Sequence, residues 1–338
     1  MFDIMIQNLL SPVVLFFVLG LIAAIFKSDL KFPSALSEAL SIYLLVAIGM
    51  KGGIELSNYS LETVIHPILG TLFIGVITPI LTLIILRLTI KIDINNAIGL
   101  AATYGSVSIV TYGAALTFLE NQGTSYESFM NAMVVLMEIP GILVALIIFG
   151  MIKKSKKQPL VPKHEVAGIV AGPSFPKINI DVLKESFFGK SVLLLLGSLF
   201  IGLIVGKEGL PIVQPLFMDL YNSILMLFLL NMGIMAGERL DLIKKHGVKL
   251  IVFAVCIPLV YGVLGIFVGY ASGLSLGGVA LMGILAASAS YIAAPAALKT
   301  SVPDANPSIY LGLALGITFP FNLIFGIPIL YQLAAWIV

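Results

Sequence analysis

The chain has 338 residues, of which 59% are hydrophobic and 11% charged, with a mean hydropathy of +1.10 and a net charge of +2. Soluble domains carry about 25% charged residues, so the composition excludes a soluble globular protein. It also excludes a nucleic-acid binder, whose basic residues would interleave with exposed aromatics, and it indicates an all-α membrane protein.

Each bilayer crossing needs about 20 apolar residues. The opening "MFDIMIQNLL" has no basic segment and no evident cleavage site, so the first apolar run reads as a retained helix. Ten apolar segments are expected, at about 12–26, 34–50, 66–89, 96–118, 129–151, 190–206, 216–236, 249–271, 276–298 and 307–336. One connection is long: 152–189, basic from its "KKSKK" start and containing several prolines. It reads as a cytosolic linker, in which "NIDVLKESFF" (179–188) could form a short interfacial helix. The single cysteine, Cys256, sits in an apolar segment and reads as core packing.

With the N-terminus placed outside, seventeen Lys and Arg fall inside and only Lys51 and Lys207 outside. Such an asymmetry orients the chain by the positive-inside rule, with ten spans and both termini external.

Matched stretches lie about 180 to 184 residues apart and keep their order. "AIGMKGGIEL" (47–56) pairs with "NMGIMAGERL" (231–240), placing Gly49 and Gly53 against Gly233 and Gly237. Ser106, Ser108 and Ala114 pair with Ser288, Ser290 and Ala296, and Pro140 pairs with Pro320. The chain therefore divides into 1–151, a linker 152–189, and 190–338, as two five-helix repeats. Five is odd, so the copies are inverted in the membrane. "GLAATYGSVSIVTYGAAL" (99–116) and "GILAASASYIAAPAAL" (283–298) are the fourth helix of each copy. Their small, hydroxyl-bearing residues and Pro295 suit broken, crossing helices, the arrangement by which inverted-repeat transporters build a site at mid-membrane.

A break frees backbone groups and exposes half-helix N-termini, which favour anions without Lys or Arg. Gly105, Ser106, Val107, Ser108, Ser288, Ala289 and Ser290 are the candidate anion-binding residues. Glu138 is the acid well inside a span, next to Pro140, and intramembrane acids are costly. It is the leading Na⁺ ligand, with Thr103, Thr111, Asn131 and Asn322 as further candidates. His66, His164 and His246 lack metal-site spacing.

"YGSVSIVTYGAALTFLENQ", "MEIPGILVALI", "AASASYIAAPAALK" and "VPDANPSIYLGLALGITFP" resemble the sodium-dependent bicarbonate transporters of cyanobacteria and their bacterial relatives. The Pro303–Ser308 motif is the most specific part. The resemblance implies ten helices in a core and a gate domain, and a homotrimer in the bacterial cytoplasmic membrane. It also implies uptake of a small anion with Na⁺ as coupling ion, and in some members a cytosolic P-II-like regulator. Where that family has G-A-V-S-G-S-T and S-S-S-D, this chain has G-S-V-S-I-V-T at Gly105–Thr111 and S-A-S-Y at Ser288–Tyr291. Three other classes are weighed. A sodium/proton antiporter wants a second acid or an acid–lysine pair at the breaks. An intramembrane enzyme wants H-E-x-x-H or paired aspartates, which are missing. A transport-inactive sensor would keep the fold without flux.

Overall fold

The computed structural model describes residues 2–157, 188–243 and 247–338. The central part of the expected linker, the interfacial helix expected over 179–188, and His164 and His246 fall on or almost wholly on the residues outside that description.

Each of the ten apolar segments is helical over most of its length, and two of them, 96–118 and 276–298, are interrupted. The chain opens with α1 (Phe2–Leu9), α2 (Pro12–Ile25), α3 (Ser34–Leu56) and α4 (Leu61–Ile85). Next come α5 (Ile94–Gly105), α6 (Ile109–Asn121) and α7 (Met130–Lys157). The second half contains α8 (Lys190–Val205), α9 (Leu210–Gln214), α10 (Tyr221–Ile243), α11 (Val248–Ala271), α12 (Leu276–Ala287) and α13 (Ala293–Ser301). It ends in a long helix, α14 (Pro307–Ile337), which contains π-turns. Among the described residues, seven helices are long and apolar enough to cross a membrane, counting α5 with α6 as one. The bent α1–α2 pair, with a 63° angle, would make eight. The helices α8 and α12 are apolar but shorter. Ile204 and Ile212 are each 85% exposed. Side chains of that kind on a protein this apolar are lipid-facing, and the chain is a multi-pass membrane protein.

Local chemistry sets the helix starts. Ser11 accepts from the Val14 N–H, with Pro12 at the first helical position. Ser60 caps α4 through the Thr63 N–H. Asp93 caps α5 through the Asn96 N–H at 3.0 Å, and Ser275 caps α12 through the Gly278 N–H at 3.5 Å. Side-chain acceptors of this type satisfy backbone donors that the first turn leaves unpaired.

The helices pack in two groups. In one, α3 lies on α8 and α10 lies on α2, the two most extensive interhelical contacts. The paired glycines explain both. A methyl group on Gly53 would overlap the Leu199 carbonyl of α8, and one on Gly233 would overlap the Phe17 carbonyl of α2. Only glycine lets the backbones come so close. In the other group α4, α5 and α7 pack together, as do α11, α12 and the end of α14.

The middle of each broken helix lies in this second group, shielded from lipid. From Ala97 to Leu116 every residue is buried. Irregular backbone is tolerated at membrane depth only when protein or a cavity surrounds it.

We expect Gly53→Val and Gly233→Val each to lower stability by about 1–3 kcal/mol through overpacking. Gly197→Ala, where a methyl group would meet nothing within 4 Å, serves as the neutral control. Thermal unfolding in detergent measures the difference.

Candidate functional site

Between α5 and α6, Ser106 and Ser108 are extended, with ψ of 174° and 112°. Between α12 and α13, residues 288–292 leave the helix. The two interruptions meet. The Ser290 N–H donates to the Thr103 carbonyl at 2.8 Å. The Ser108 N–H donates to the Ser288 hydroxyl at 2.9 Å. The Ser108 hydroxyl donates to the Tyr291 phenol oxygen at 3.2 Å. Away from the centre, α5 begins near Asn306, whose N–H donates to Asn96, while α12 begins beside Glu127, which accepts from the Ser275 N–H and hydroxyl. The first half-helices therefore start beside different loops and end against each other at the break.

Their serines also start the second half-helices. Ser108 accepts from the Thr111 N–H at 3.1 Å, and Ser290 accepts from the Ala294 N–H at 3.1 Å. This placement positions both hydroxyls at the N-termini of α6 and α13. The Ser106 hydroxyl turns away and donates to the Glu138 carbonyl at 3.0 Å. Close packing makes that possible, because Gly141 of α7 lies against the Gly105 carbonyl, where any side chain would collide.

A small cavity of about 10 Å³, room for a single water-sized group, lies beside the crossing. Val107, Ser108, Glu138 and Ser290 line it on one side, and Leu45 of α3 and Ser191 of α8 on the other. It thus sits where the two helix groups meet. Glu138 is 3% exposed and is the one buried carboxylate among the described residues. One oxygen, Oε1, receives a 3.4 Å hydrogen bond from Ser290. The other, Oε2, is buried with no hydrogen-bond partner. No Lys or Arg lines the cavity. The donors available are hydroxyls and the helix starts, and the one carboxyl group in the lining is Glu138.

Of the expected anion-binding residues, Val107, Ser108 and Ser290 reach this cavity. Gly105, Ser106, Ser288 and Ala289 form the crossing behind it without lining it. Ser288 donates to the Leu285 carbonyl at 2.8 Å and serves as acceptor for Ser108. Of the expected cation ligands, Glu138 lines the cavity. Thr103 Oγ1 and Asn322 Oδ1 are, like Glu138 Oε2, buried oxygens without partners, while the Asn322 amide holds the Ala287 carbonyl at 2.7 Å. Thr111 is buried one turn into α6. Asn131 lies apart, bonded to Tyr112 and to the Ser128 carbonyl. Sequence reasoning passed over Leu45, Ser191 and Ile292 as lining residues, and took Tyr291 only as a departure from the family pattern. Leu45 and Ser191 belong to helices whose distinctive residues are elsewhere, so nothing local marked them. Among the described residues no group of His, Cys, Asp and Glu forms a metal cluster.

Ser108→Ala removes a helix cap and the link to Tyr291 together. We expect a stability loss of about 1 kcal/mol or somewhat more, since replacing a capping residue by alanine typically has that effect. Thr117→Ala, on the same helix but part-exposed, should lose less in the same thermal-unfolding assay.

No individually curated protein matches the chain. A family model does, over residues 12–335, which takes in both helix groups and both breaks. The chain belongs to the Na⁺-dependent bicarbonate transporter superfamily.

Proposed function

We propose that this protein is a secondary transporter that moves a small monovalent anion, bicarbonate in the first instance, into the cell together with Na⁺. The observation that carries the reading is the orphaned Glu138 Oε2 beside two helix starts in one water-sized cavity. Oxygen donors are the ligand type hard cations take. An ionised Glu138 in an otherwise uncharged cavity repels an anion. Unit charges 4 Å apart interact by about 4 kcal/mol at an effective dielectric of 20. Na⁺ on Glu138 cancels that repulsion and leaves the N-termini of α6 and α13, with the Ser108 and Ser290 hydroxyls, to hold the anion. Binding of one ion then depends on the other, which is the requirement for coupling.

The energetics agree. Moving a monovalent anion alone into a negative-inside cell costs about 2.3 kcal/mol per 100 mV. Carrying one Na⁺ cancels that cost, and a tenfold Na⁺ gradient adds about 1.4 kcal/mol.

The architecture in this reading is ten crossings, as inverted repeats 1–151 and 190–338 joined by a cytosolic linker at 152–189. Crossed glycine packing supports it: the second helix of each half, α3 and α10, packs on the first helix of the other half. The equivalent caps Asp93 and Ser275 point the same way, as do Ser108 and Ser290, whose hydroxyls each accept a backbone N–H of the following helix.

Uptake of labelled bicarbonate into proteoliposomes should rise with an inward Na⁺ gradient and not with an equal K⁺ gradient. Glu138→Gln should weaken apparent Na⁺ affinity at least about tenfold, or ~1.4 kcal/mol, while the protein stays folded. Na⁺-independent uptake, or unchanged Na⁺ dependence in a stable Glu138→Gln protein, would sink the cation assignment. Proton flux without anion uptake would establish the antiporter instead.

Topology has a separate test. In a Cys256→Ala background, Ser155→Cys should resist an impermeant thiol reagent in intact cells and react after permeabilisation. Labelling from outside would reverse the orientation.

A further inference from the structure

Two cavities approach each other at Tyr291. The inner one is the Glu138 cavity. The outer one holds about 670 Å³ and is lined by Lys31, Lys190, Glu38 and Glu238 as well as by Tyr291 and Ile292. Lys190 and Glu38 form an ion pair of 2.6 Å and are about half exposed, so they mark the mouth. Tyr291 is 9% exposed and marks the floor. Tyr291 and Ile292 are the two residues that line both spaces.

The wall between mouth and floor is polar along α3. Ser34, Ser37 and Ser41 follow one another at helical spacing and all line the outer cavity. Residues so spaced share one helix face. The next residue on that face, Leu45, lines the inner cavity. The Ser41 hydroxyl is buried with no hydrogen-bond partner, as a group does when water or a passing solute is its partner. One helix face thus leads from the lysine-bearing mouth to the inner cavity and is interrupted at Tyr291.

The Tyr291 ring is buried in the core, and one hydrogen bond and one ring contact set its orientation. Its oxygen accepts from Ser108 at 3.2 Å, and its ring meets Phe319 edge-on at 5.4 Å between centroids. Its backbone lies in the break, ahead of α13, so no regular helical ladder fixes it. Rotation of this buried ring requires its neighbours to give way, unlike the fast rotamer flips of exposed side chains.

We propose that the Tyr291 ring is the movable barrier between the inner cavity and the outer vestibule, whose wall carries both lysines and glutamates, and that its bulk limits what passes to small solutes. This rests on the transport reading, in which the vestibule is the cytosolic exit. The Ser108 hydroxyl couples the barrier to the site, because the same group caps α6 and lines the inner cavity.

The test reads access rather than transport. Leu45→Cys in a Cys256→Ala background places a thiol in the inner cavity, and Ser34→Cys places a reference thiol in the vestibule. The full-length protein is reconstituted and treated with a water-soluble methanethiosulfonate, and the modification rate is followed by mass spectrometry. With Tyr291 present, Cys at 45 should react slowly and Cys at 34 quickly. Tyr291→Ala should speed the reaction at 45 about tenfold, a barrier lower by ~1.4 kcal/mol, without changing that at 34. Tyr291→Phe keeps the ring and should stay close to the native rate. Tyr291→Leu should act in the same direction as Ala and provides the measurement if the Ala variant does not fold. An unchanged rate at 45 in folded Tyr291→Ala or Tyr291→Leu protein overturns the proposal, as does a native rate at 45 equal to that at 34. A protein without uptake that shows the expected labelling pattern would refute the transport reading and leave the barrier standing.

Discussion

Two backbone hydrogen-bond ladders stop in the middle of this protein, and the groups they leave must be satisfied without water or lipid. A buried polar group with no partner costs several kcal/mol in hydrocarbon. Each break answers this with groups from the other: the Ser290 N–H reaches the Thr103 carbonyl, and the Ser108 N–H reaches the Ser288 hydroxyl. Neither fourth helix can be broken alone. The surrounding architecture follows, because the crossing has to be sheathed. Gly141 and Pro79 press against Gly105 on one side, and Asn322 holds the Ala287 carbonyl on the other.

The matched stretches of the sequence differ at one position that matters to the site. Pro140 in the first half corresponds to Pro320 in the second, so Glu138 corresponds to Thr318. The threonine is fully used: it donates to the Ala254 carbonyl at 2.7 Å and pairs with the Tyr104 hydroxyl at 2.6 Å. The glutamate has an oxygen left over. The matched sequence positions agree where they serve packing, in the glycines, and differ at the position that carries the acid.

The cavity's location gives this asymmetry its use. Leu45 and Ser191 come from the group containing α3 and α8, while the remaining lining residues come from the broken-helix group. A site lined by both groups changes shape whenever their relation changes, without any rearrangement of the crossing itself. Close glycine contacts keep α3 on α8 and α2 on α10, so each group retains its own packing.

Much of this was legible in the residues. Low charge and ten apolar runs exclude any soluble fold, because so few polar groups cannot cover a surface in water. Hydroxyl-rich stretches in two apolar segments announced breaks, since such residues compete for backbone hydrogen bonds. The matched glycines announced close helix contacts, and Glu138 stood out because an acid in an apolar span needs a reason. What the residues could not settle was direction. Four serines occupy the two breaks, yet only Ser108 and Ser290 line the cavity, while Ser106 and Ser288 are committed to the Glu138 and Leu285 carbonyls. The serines of each break are two apart, which in a regular extended strand would put both on one side; the turn at each break and the helices packed around it decide instead which one faces the cavity. Asn131 looked like Asn322 in sequence, but its amide is spent on Tyr112 and Ser128. Leu45, Ser191 and Tyr291 entered the site by tertiary contact alone. Composition and local pattern determined the helices, the breaks and the lone acid; the packing of one half against the other decided which polar atoms were satisfied and which were left facing a cavity.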